Sequence, residues 1–547
     1  MCFKEKSIFS TKYAVAFAGF FLALLTGCSE ENNKGVSSSS ASSHTASSSS
    51  APSAVSYSSV FYSSSTSNSA ASNSPYIGQW YAPTYGYILS VSAENNIFKV
   101  DQYSVTKNYC LLQDVSSNLS LDDLKQGYDY SNLVNEVLLQ KKGDYLPGID
   151  YERVKQLPAI CKENLLKVKS DSGYVFDAKK DFEIFWQAFS ELYINFELRN
   201  FDVDKAYEEA IKSVADVKDE QELFEFLGRI IAPLGDAHAA LLRAPLAQDL
   251  DETIAAAREN PETLFFSEYT QMTLHEKLLN EYLETIKPYN ELTDTQIAAA
   301  ENYILVSVEK LKDIIFDYAK ENSGIEVRAA GEIAWFKTND NIGYLFIGSM
   351  SDYSEGISTI ASDLAIAEAT IKEALKDLAD TDGLIIDARF NNGGEDQVAL
   401  NFVRHFMSRP QVVYSKFSGS GASSTPLKQV VLDPHSDNIY LKPTAVLVSG
   451  DTVSAAEVFT IAISSLAQVR IIGEPTAGAL SDVLVKRLTS DILFGVSNET
   501  YLDVQGNNYE GVGIPPDIAV PFATLQERNG GYDNGLNTAI DWIKSAR

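Results

Sequence analysis

The second half of the sequence predicts an α/β fold, in which a mostly parallel sheet is covered by helices on both faces. Strand-like and helical segments alternate there: the strands are I-G-Y-L-F-I, G-L-I-I-D-A, T-A-V-L-V and V-R-I-I-G, and the helices cover 355–378, 398–407 and a segment that begins at Ser454. Each strand-to-strand connection is long enough to hold a helix, and such connections join parallel strands. A parallel sheet of this kind is buried on both faces.

The chain has 547 residues, too many for a single hydrophobic core. Changes in composition and in hydrophobic pattern along the sequence divide it into modules. Residues 76–170 form a small strand-rich module with segments such as Y-G-Y-I-L-S-V. Residues 171–330 have apolar side chains at helical spacing, as in F-E-I-F-W-Q-A-F-S-E-L-Y, and predict a helical domain with an insert. The α/β core occupies 331–525, and 526–547 form a C-terminal helix.

The N-terminal segment has the features of a bacterial export signal. Residues 1–27 combine basic side chains with an apolar run from Tyr13 to Leu25, and L-T-G-C resembles a lipobox that ends at Cys28. The apolar run is too short to favour a membrane-spanning helix. Residues 28–75 are rich in serine and predict an unfolded tether. We therefore expect a lipid anchor at Cys28 in the cell envelope, at the outer membrane; the periplasmic and surface-exposed faces both remain open.

Charge and cysteine content narrow the possible partners. The formal net charge of −30 argues against nucleic acid as a partner. With Cys28 lipidated, Cys110 and Cys161 are the cysteines left in the mature chain, and an exported protein permits a disulfide between them, although the sequence leaves pairing open. Few cysteines and five scattered histidines argue against a metal site, and no cofactor is expected.

The run T-A-V-L-V-S-G-D-T-V-S-A-A-E predicts a buried strand, a tight loop and a helix that begins at Ser454. A serine in this place meets unpaired backbone N–H groups and the positive end of the helix dipole. It could serve as a nucleophile or simply cap the helix. The sequence around Ser454 alone does not separate these two roles.

Three other segments carry candidate chemistry. D-A-R-F-N-N-G-G over 387–394 follows a strand, and its paired glycines would let backbone N–H groups approach an oxyanion. G-D-A-H over 235–238 places an imidazole in a loop, and N-Y-E-G-V-G-I-P-P-D over 508–517 follows polar, strand-like sequence. Each segment by itself is also typical of an ordinary turn.

Taken in order, G-D-A-H, D-A-R-F-N-N-G-G, T-V-S-A-A-E, G-E-P-T-A-G and E-G-V-G-I-P-P-D resemble the tail-specific, or C-terminal processing, serine peptidases. The resemblance extends from about residue 76 to the C-terminus. It implies a crotonase-like or ClpP-like catalytic core and protein or peptide substrates. In most such peptidases a lysine is the general base, but Ala479 stands at that position here.

A second branch of the family resembles the tricorn protease core and uses histidine. His238 matches its histidine and Glu510 its carboxylate, whereas Ala237 replaces the serine that precedes the histidine. The resemblance therefore implies Ser454 as nucleophile, His238 as base and Glu510 as the group that orients the imidazole, directly or through water.

The remaining site residues are assigned from their places in these segments. Backbone N–H groups of Gly393, Gly394 and Ala455 are the candidate oxyanion donors. Four charged residues are assigned supporting roles: Asp236, Asp387, Arg389 and Glu457.

The segment between His238 and Glu332 has helical sequence and no carboxylate-binding loop, so no PDZ domain is expected and the helical insert is the candidate for substrate selection. The sequence thus predicts a lipid-anchored serine-type endopeptidase. A catalytically inactive relative that binds peptides or small apolar ligands is the alternative.

Overall fold

The computed structural model describes residues 74–131, 136–143, 145–243, 264–267, 271–289, 292–321, 324–354, 358–419 and 423–546. The predicted signal peptide, Cys28 and the tether up to residue 73 lie outside the described residues. Within these ranges no helix is both long and apolar enough to cross a bilayer.

The N-terminal module is an antiparallel sheet of seven strands in the order β4-β3-β2-β1-β7-β6-β5. Its elements are β1 (Gly78–Ala82), β2 (Tyr87–Glu94), β3 (Ile97–Val105), β4 (Cys110–Leu119), α1 (Leu121–Gly127), β5 (Tyr128–Ser131), β6 (Val137–Gln140), β7 (Ile149–Val154) and α2 (Ala159–Glu163). Cys110, which begins β4, forms a disulfide with Cys161 of α2, with Cα atoms 5.1 Å apart. The bridge ties the short helix to the sheet.

A helical layer connects this sheet to the rest of the molecule. It contains α3 (Ala178–Leu192), α4 (Val203–Ser213) and α5 (Glu220–Ile231). A neighbouring four-stranded sheet has the order β18-β19-β8-β9, with β8 (Ala240–Arg243), β9 (Leu264–Phe266), β18 (Val483–Arg487) and β19 (Ile492–Ser497). The Phe185 and Phe494 rings meet edge to face at 5.1 Å, so α3 packs directly on β19. Aromatic side chains thus dominate this shared core.

The α/β core is built on a seven-stranded sheet in the order β10-β11-β12-β13-β16-β17-β21. Its strands are β10 (Glu326–Arg328), β11 (Ile333–Lys337), β12 (Gly343–Ile347), β13 (Leu384–Asp387), β16 (Thr444–Val448), β17 (Val469–Gly473) and β21 (Ile518–Ala519). All neighbours from β12 to β21 are parallel, whereas β10 and β11 pair antiparallel at one edge.

A smaller sheet, β15-β14-β20, holds β14 (Gln411–Ser418), β15 (Lys428–Leu432) and β20 (Glu499–Leu502).

Helices cover both faces of the parallel sheet because successive strand residues point to opposite sides. Ile386 packs in one apolar cluster and Ile385 in the other. The covering helices are α6 (Leu274–Thr285), α7 (Asp294–Phe316), α8 (Ile360–Asp377), α9 (Asp396–Arg404), α10 (Ala455–Ser464), α11 (Leu525–Gly530) and α12 (Asn534–Ser545). The segment after residue 525 holds two helices where one was expected, since Gly531 at φ +71° ends the first.

Candidate active site

Ser454 occupies the sharp turn between strand β16 and helix α10. Its backbone has φ +56° and ψ −123°, whereas a helix-capping residue is normally extended. Such a conformation costs a non-glycine residue about 1–3 kcal/mol and persists only where the surroundings enforce it. Ser454 is half-buried at the edge of the parallel sheet. This geometry distinguishes Ser454 from an ordinary capping serine.

Glu457 enforces the turn. Its fully buried carboxylate accepts a hydrogen bond from Ser454 N at 3.3 Å, and its own N–H donates to Ser454 O at 2.7 Å. The same carboxylate accepts from Thr476 Oγ1 (2.5 Å), Gly478 N (2.8 Å) and Ala479 N (2.8 Å). Burial raises the pKa of Glu457 to about 7, and these donors oppose that shift. One carboxylate therefore fixes both the helix start and the segment that contains Ala479.

The loop after β13 is held by a buried ion-pair network. Arg389 donates from Nε to Asp387 Oδ1 (2.9 Å) and from Nη2 to Asp387 Oδ2 (2.6 Å). Its Nη1 reaches Asp533 Oδ2 at 2.8 Å, and Tyr344 OH donates to Asp387 at 2.8 Å. A bidentate arginine–carboxylate pair fixes orientation as well as distance. Asp387 and Arg389 thus brace the strand end from which the glycine loop begins.

Gly393 lies directly against Ser454. A Cβ atom at Gly393 would stand 2.8 Å from both Ser454 Cβ and Val453 O, closer than real Cβ atoms approach. Gly393 has φ +96° and Gly394 φ +135°, which favour glycine. The glycine loop therefore reaches the serine because neither position carries a side chain.

The three candidate oxyanion donors are not equivalent. Gly393 N donates to Asn391 Oδ1 at 2.9 Å, so this N–H is already engaged, and the expectation that it is a free donor is wrong. In the described part of the chain, no acceptor contacts the N–H groups of Gly394 or Ala455. These two amides remain as candidates for stabilising an oxyanion beside Ser454.

The G-D-A-H loop packs against the serine turn. Asp236 is fully buried and accepts hydrogen bonds from His238 N (3.0 Å), Ser497 Oγ (3.1 Å) and Tyr193 OH (2.8 Å). Ala237 belongs to a small apolar cluster with Val453, Ala477 and Ala479. The loop that carries His238 is thereby packed against the residue immediately before Ser454.

The His238 side chain is buried, with 8% of the residue exposed. Burial lowers the pKa of His238, although Asp236, Asp482 and the backbone of Ser481 act in the opposite direction. Its buried Nδ1 has no hydrogen-bond partner, and no hydrogen bond joins the ring to Ser454 Oγ among the described residues. The imidazole is therefore kept neutral, as a general base must be.

Glu510 does not hydrogen-bond to His238. Its carboxylate accepts from Arg199 Nη2 (3.0 Å), Leu480 N (2.9 Å) and Ser481 N (3.1 Å). Burial raises the pKa of Glu510, and the guanidinium of Arg199 opposes this shift. Of the two predicted routes, direct contact between the carboxylate and the imidazole is absent among the described residues, and orientation through water stays a prediction. The two residues are linked instead through Ser481, whose N–H binds Glu510 and whose backbone also acts on the His238 ring.

Lys486 does not fill the position of a catalytic lysine. Its Nζ donates to Tyr85 O (2.6 Å) and Gly86 O (3.1 Å) and lies 3.4 Å from the centre of the Tyr87 ring. Burial places the pKa of Lys486 well below its usual value. This amine faces the N-terminal sheet, while Ala479 sits in the apolar cluster beside Val453.

A serine on a strained turn between a parallel strand and a helix, beside a glycine loop, is the arrangement that α/β serine hydrolases use for a nucleophile. Residues 341–520 match the family model of peptidase family S41, and this match confirms the resemblance seen in the sequence. This part of the chain is therefore similar to the S41 peptidases.

Similar proteins include two curated relatives. A carboxy-terminal-processing protease of Bartonella bacilliformis is 26% identical over 201 residues, or 36% of this chain and 43% of that protein. A nisin-resistance protein of Lactococcus lactis is 26% identical over 179 residues, or 30% of this chain and 50% of that protein. The chain thus spans half or less of the length of these relatives. A solved putative peptidase from Parabacteroides merdae has a TM-score of 0.49 at 21% identity, covering 68% of this chain and 97% of its own.

Proposed function

We propose that this chain is a serine-type endopeptidase of the bacterial cell envelope that cleaves protein or peptide substrates with Ser454, His238 and Glu510. The observation that carries the proposal is the strained Ser454 turn closed by Gly393, where a Cβ atom would lie 2.8 Å from Ser454 Cβ. A capping role does not explain why the surrounding contacts hold the Ser454 backbone in an unfavourable conformation. The names of the curated relatives point to the same reaction.

In the proposed mechanism, neutral His238 removes the proton from Ser454 Oγ as the oxygen attacks the substrate carbonyl. The amides of Gly394 and Ala455 stabilise the oxyanion of the tetrahedral intermediate. Protonated His238 then gives the proton to the leaving amine, which departs and leaves an acyl-enzyme. Water, deprotonated by the same imidazole, releases the acyl group and restores Ser454.

Glu510 acts in this proposal as a positioning residue. It holds the 480–481 peptide through two N–H groups, and Ser481 in turn acts on the His238 ring. Arg199 keeps the Glu510 carboxylate in place with a 3.0 Å ion pair. A lysine mechanism is not proposed, because Ala479 has no base to offer and the Lys486 amine faces Tyr85 and Gly86.

The location and the finer fold class extend the proposal. A lipid on Cys28 and a serine-rich tether would hold the catalytic body near the outer membrane, on its periplasmic or outer side. Replacement of Cys28 by alanine should move the protein from the membrane fraction to the soluble fraction, and unchanged fractionation would contradict the anchor. The core is proposed to be crotonase-like or ClpP-like, as the family resemblance implies.

One observation favours the second candidate, an inactive relative that binds peptides or small apolar ligands. His238 Nδ1 lacks the carboxylate partner that fixes the imidazole in a catalytic triad, because Glu510 is bound to Arg199 instead. An imidazole without this partner is a poorer base. The partly exposed, strained serine nevertheless has no evident use in a simple binding protein.

The deciding experiment compares wild type with Ser454→Ala on a mixed peptide library and with a fluorophosphonate label. Ser464→Ala is the matched control, because this exposed serine lies at the other end of the same helix α10. Wild type and Ser464→Ala should cleave peptides and take up the label, and Ser454→Ala should do neither. Equal labelling of all three proteins would refute the nucleophile, and binding without cleavage by wild type would favour the second candidate.

A further inference from the structure

Three side chains that lie far apart in the sequence meet at the C-terminal end of helix α9. Glu368 comes from α8, His405 follows the last residue of α9, and His435 lies in the loop between β15 and β16. Glu368 Oε2 is 3.3 Å from His405 Nε2, and Glu368 Oε1 is 2.8 Å from His435 Nε2. The ligand atoms of all three residues lie within 4.8 Å of one another.

The other ring nitrogens determine which tautomers these histidines adopt. His405 Nδ1 is 3.2 Å from Asn438 O, an atom that can only accept a hydrogen bond. His435 Nδ1 is 3.0 Å from Asp437 O and 2.7 Å from Asp437 Oδ1, and both of these oxygens are acceptors. Asp437 N, a donor, is also near Nδ1 but lies farther away, at 3.3 Å. Both Nδ1 atoms are therefore expected to carry the proton, which leaves the Nε2 lone pairs free.

Two Nε2 lone pairs then face one carboxylate, an arrangement that requires positive charge between them. Two imidazolium rings are a poor source of that charge, because the rings stack with centroids 4.3 Å apart and His405 is fully buried.

We propose that Glu368, His405 and His435 bind a divalent transition-metal ion, most readily Zn²⁺. Two imidazole nitrogens and a carboxylate oxygen are a common zinc ligand set. In a tetrahedral site with bonds of about 2.0–2.2 Å, neighbouring ligand atoms stand roughly 3.4 Å apart. The 3.3 Å separation of His405 Nε2 and Glu368 Oε2 already fits, and His435 lies in a connection whose next residues, 436–439, are exposed.

The surrounding groups support a metal site of this kind. Metal-bound histidines usually donate their second ring N–H to a carboxylate or a backbone carbonyl, and acceptors of this kind lie beside the Nδ1 atoms of both rings here. Asn401 Nδ2 orients Glu368 Oε2 at 3.0 Å. Lys372 Nζ contacts Glu368 Oε1 (2.7 Å) and Asp437 Oδ1 (3.3 Å) and partly neutralises both carboxylates. The two carboxylates, one lysine and two neutral imidazoles still sum to a net negative charge, which favours a cation.

The proposed metal would join three elements of the catalytic core. Helix α9 begins just after Gly394 and ends just before His405, so the metal would fix the helix end remote from the oxyanion loop. It would also hold the 433–442 connection in place. Two backbone hydrogen bonds already join this connection to the end of α9, from His435 N to Arg404 O (2.9 Å) and from Tyr440 N to His405 O (2.7 Å). The expected role is structural, independent of whether Ser454 is a nucleophile.

The test titrates ZnCl₂ into the purified, EDTA-treated full-length protein by calorimetry, with native mass spectrometry for stoichiometry and a melting curve for stability. Wild type should bind one Zn²⁺ and melt at a higher temperature with it than without. His238→Ala should behave in the same way, which excludes binding at the candidate active site, and so should His275→Asn, the matched histidine control. His435→Asn and Glu368→Gln should lose the zinc-dependent rise in melting temperature.

Asp437→Asn is a milder change than replacement of a proposed ligand, because Asp437 is exposed and its carboxylate contacts His435 Nδ1 and Lys372 Nζ, neither of which is a proposed ligand atom. It should weaken zinc binding by about 10- to 100-fold while leaving the metal-free melting temperature unchanged. The proposal is wrong if wild type shows no saturable binding, or if His435→Asn and Asp437→Asn bind zinc as tightly as His275→Asn.

Discussion

Replacement of Gly393 by alanine tests whether the glycine loop and Ser454 form one site. The added Cβ atom would stand 2.8 Å from Ser454 Cβ, 2.8 Å from Val453 O and 3.1 Å from Ala455 N. These neighbours are the proposed nucleophile, the backbone just before it and a proposed oxyanion donor. Backbone atoms cannot rotate away as the end of a flexible side chain can, so the loop and the serine turn must separate.

The magnitude has two parts. Alanine at φ +96° costs about 1–2 kcal/mol in backbone strain, and crowding in a packed region adds about 1–3 kcal/mol. These terms lower the free energy of unfolding. If the separation moves one oxyanion donor out of range, catalysis loses about 3 kcal/mol, or 100- to 1,000-fold in kcat.

The assay measures kcat/KM on a peptide cleaved by wild type, together with urea unfolding of each variant. Gly506→Ala is the matched control, because Gly506 has φ +88° but no atom within 4 Å of its added Cβ. Both variants carry the backbone strain, and Gly393→Ala alone crowds Ser454. Activity of Gly393→Ala within about twofold of Gly506→Ala would refute the reasoning, since that difference corresponds to under 0.5 kcal/mol.

Three further predictions concern His238, Glu457 and the disulfide between Cys110 and Cys161. Because burial lowers the pKa of His238 and the base must be neutral, kcat/KM should fall with decreasing pH at a midpoint below about 6.5, and a midpoint above that value would contradict His238 as base. Glu457→Gln should lower the free energy of unfolding by about 1–3 kcal/mol, because the amide nitrogen of the glutamine must face a backbone N–H donor. The cleavage rate should fall as well. Unchanged urea unfolding would contradict this prediction. Cys110→Ser should lower the free energy of unfolding by about 4 kcal/mol, because the disulfide closes a loop of 51 residues and so restricts the unfolded chain. Cleavage should be unchanged well below the melting temperature. Equal stability of the reduced and oxidised protein would argue against this prediction.

The α/β core could be predicted because its periodicity and its turn residues agree. The strand expected at Ala445–Val448 is found at Thr444–Val448, and the helix expected from Ser454 begins at Ala455. A run of apolar residues bounded by Pro443 and Gly450 has few alternatives to a buried strand. The same local logic located the glycine loop, since paired glycines after a strand allow a close approach that other residues do not.

The partners of the site residues could not be predicted in the same way. Arg199, which holds Glu510, lies in a loop without any motif, and its importance comes from a contact across 311 residues. The Gly393 amide was expected to be free because nothing in the sequence indicates that Asn391 folds back onto it. Such contacts depend on tertiary packing, which the order of residues does not display.

The sequence shows no sign of the proposed metal site for a related reason. Histidines that bind zinc in sequence motifs are closely spaced, and His405 and His435 are not. The three proposed ligands come together because α8, α9 and the 433–442 connection converge at one corner of the core. A count of histidines cannot indicate a cluster of side chains that only the fold brings together.

The buried Lys486 has a consequence for shortening the protein. Its amine belongs to the core by sequence, yet its two hydrogen-bond acceptors, Tyr85 O and Gly86 O, belong to the N-terminal sheet. Deletion of residues 76–170 would leave a buried donor unsatisfied, at about 1–3 kcal/mol for each lost hydrogen bond, and would uncover the aromatic face that Phe185 shares with that sheet. The N-terminal sheet is thus part of the same folding unit as the α/β core, and residues 341–520 cut out alone should aggregate instead of folding.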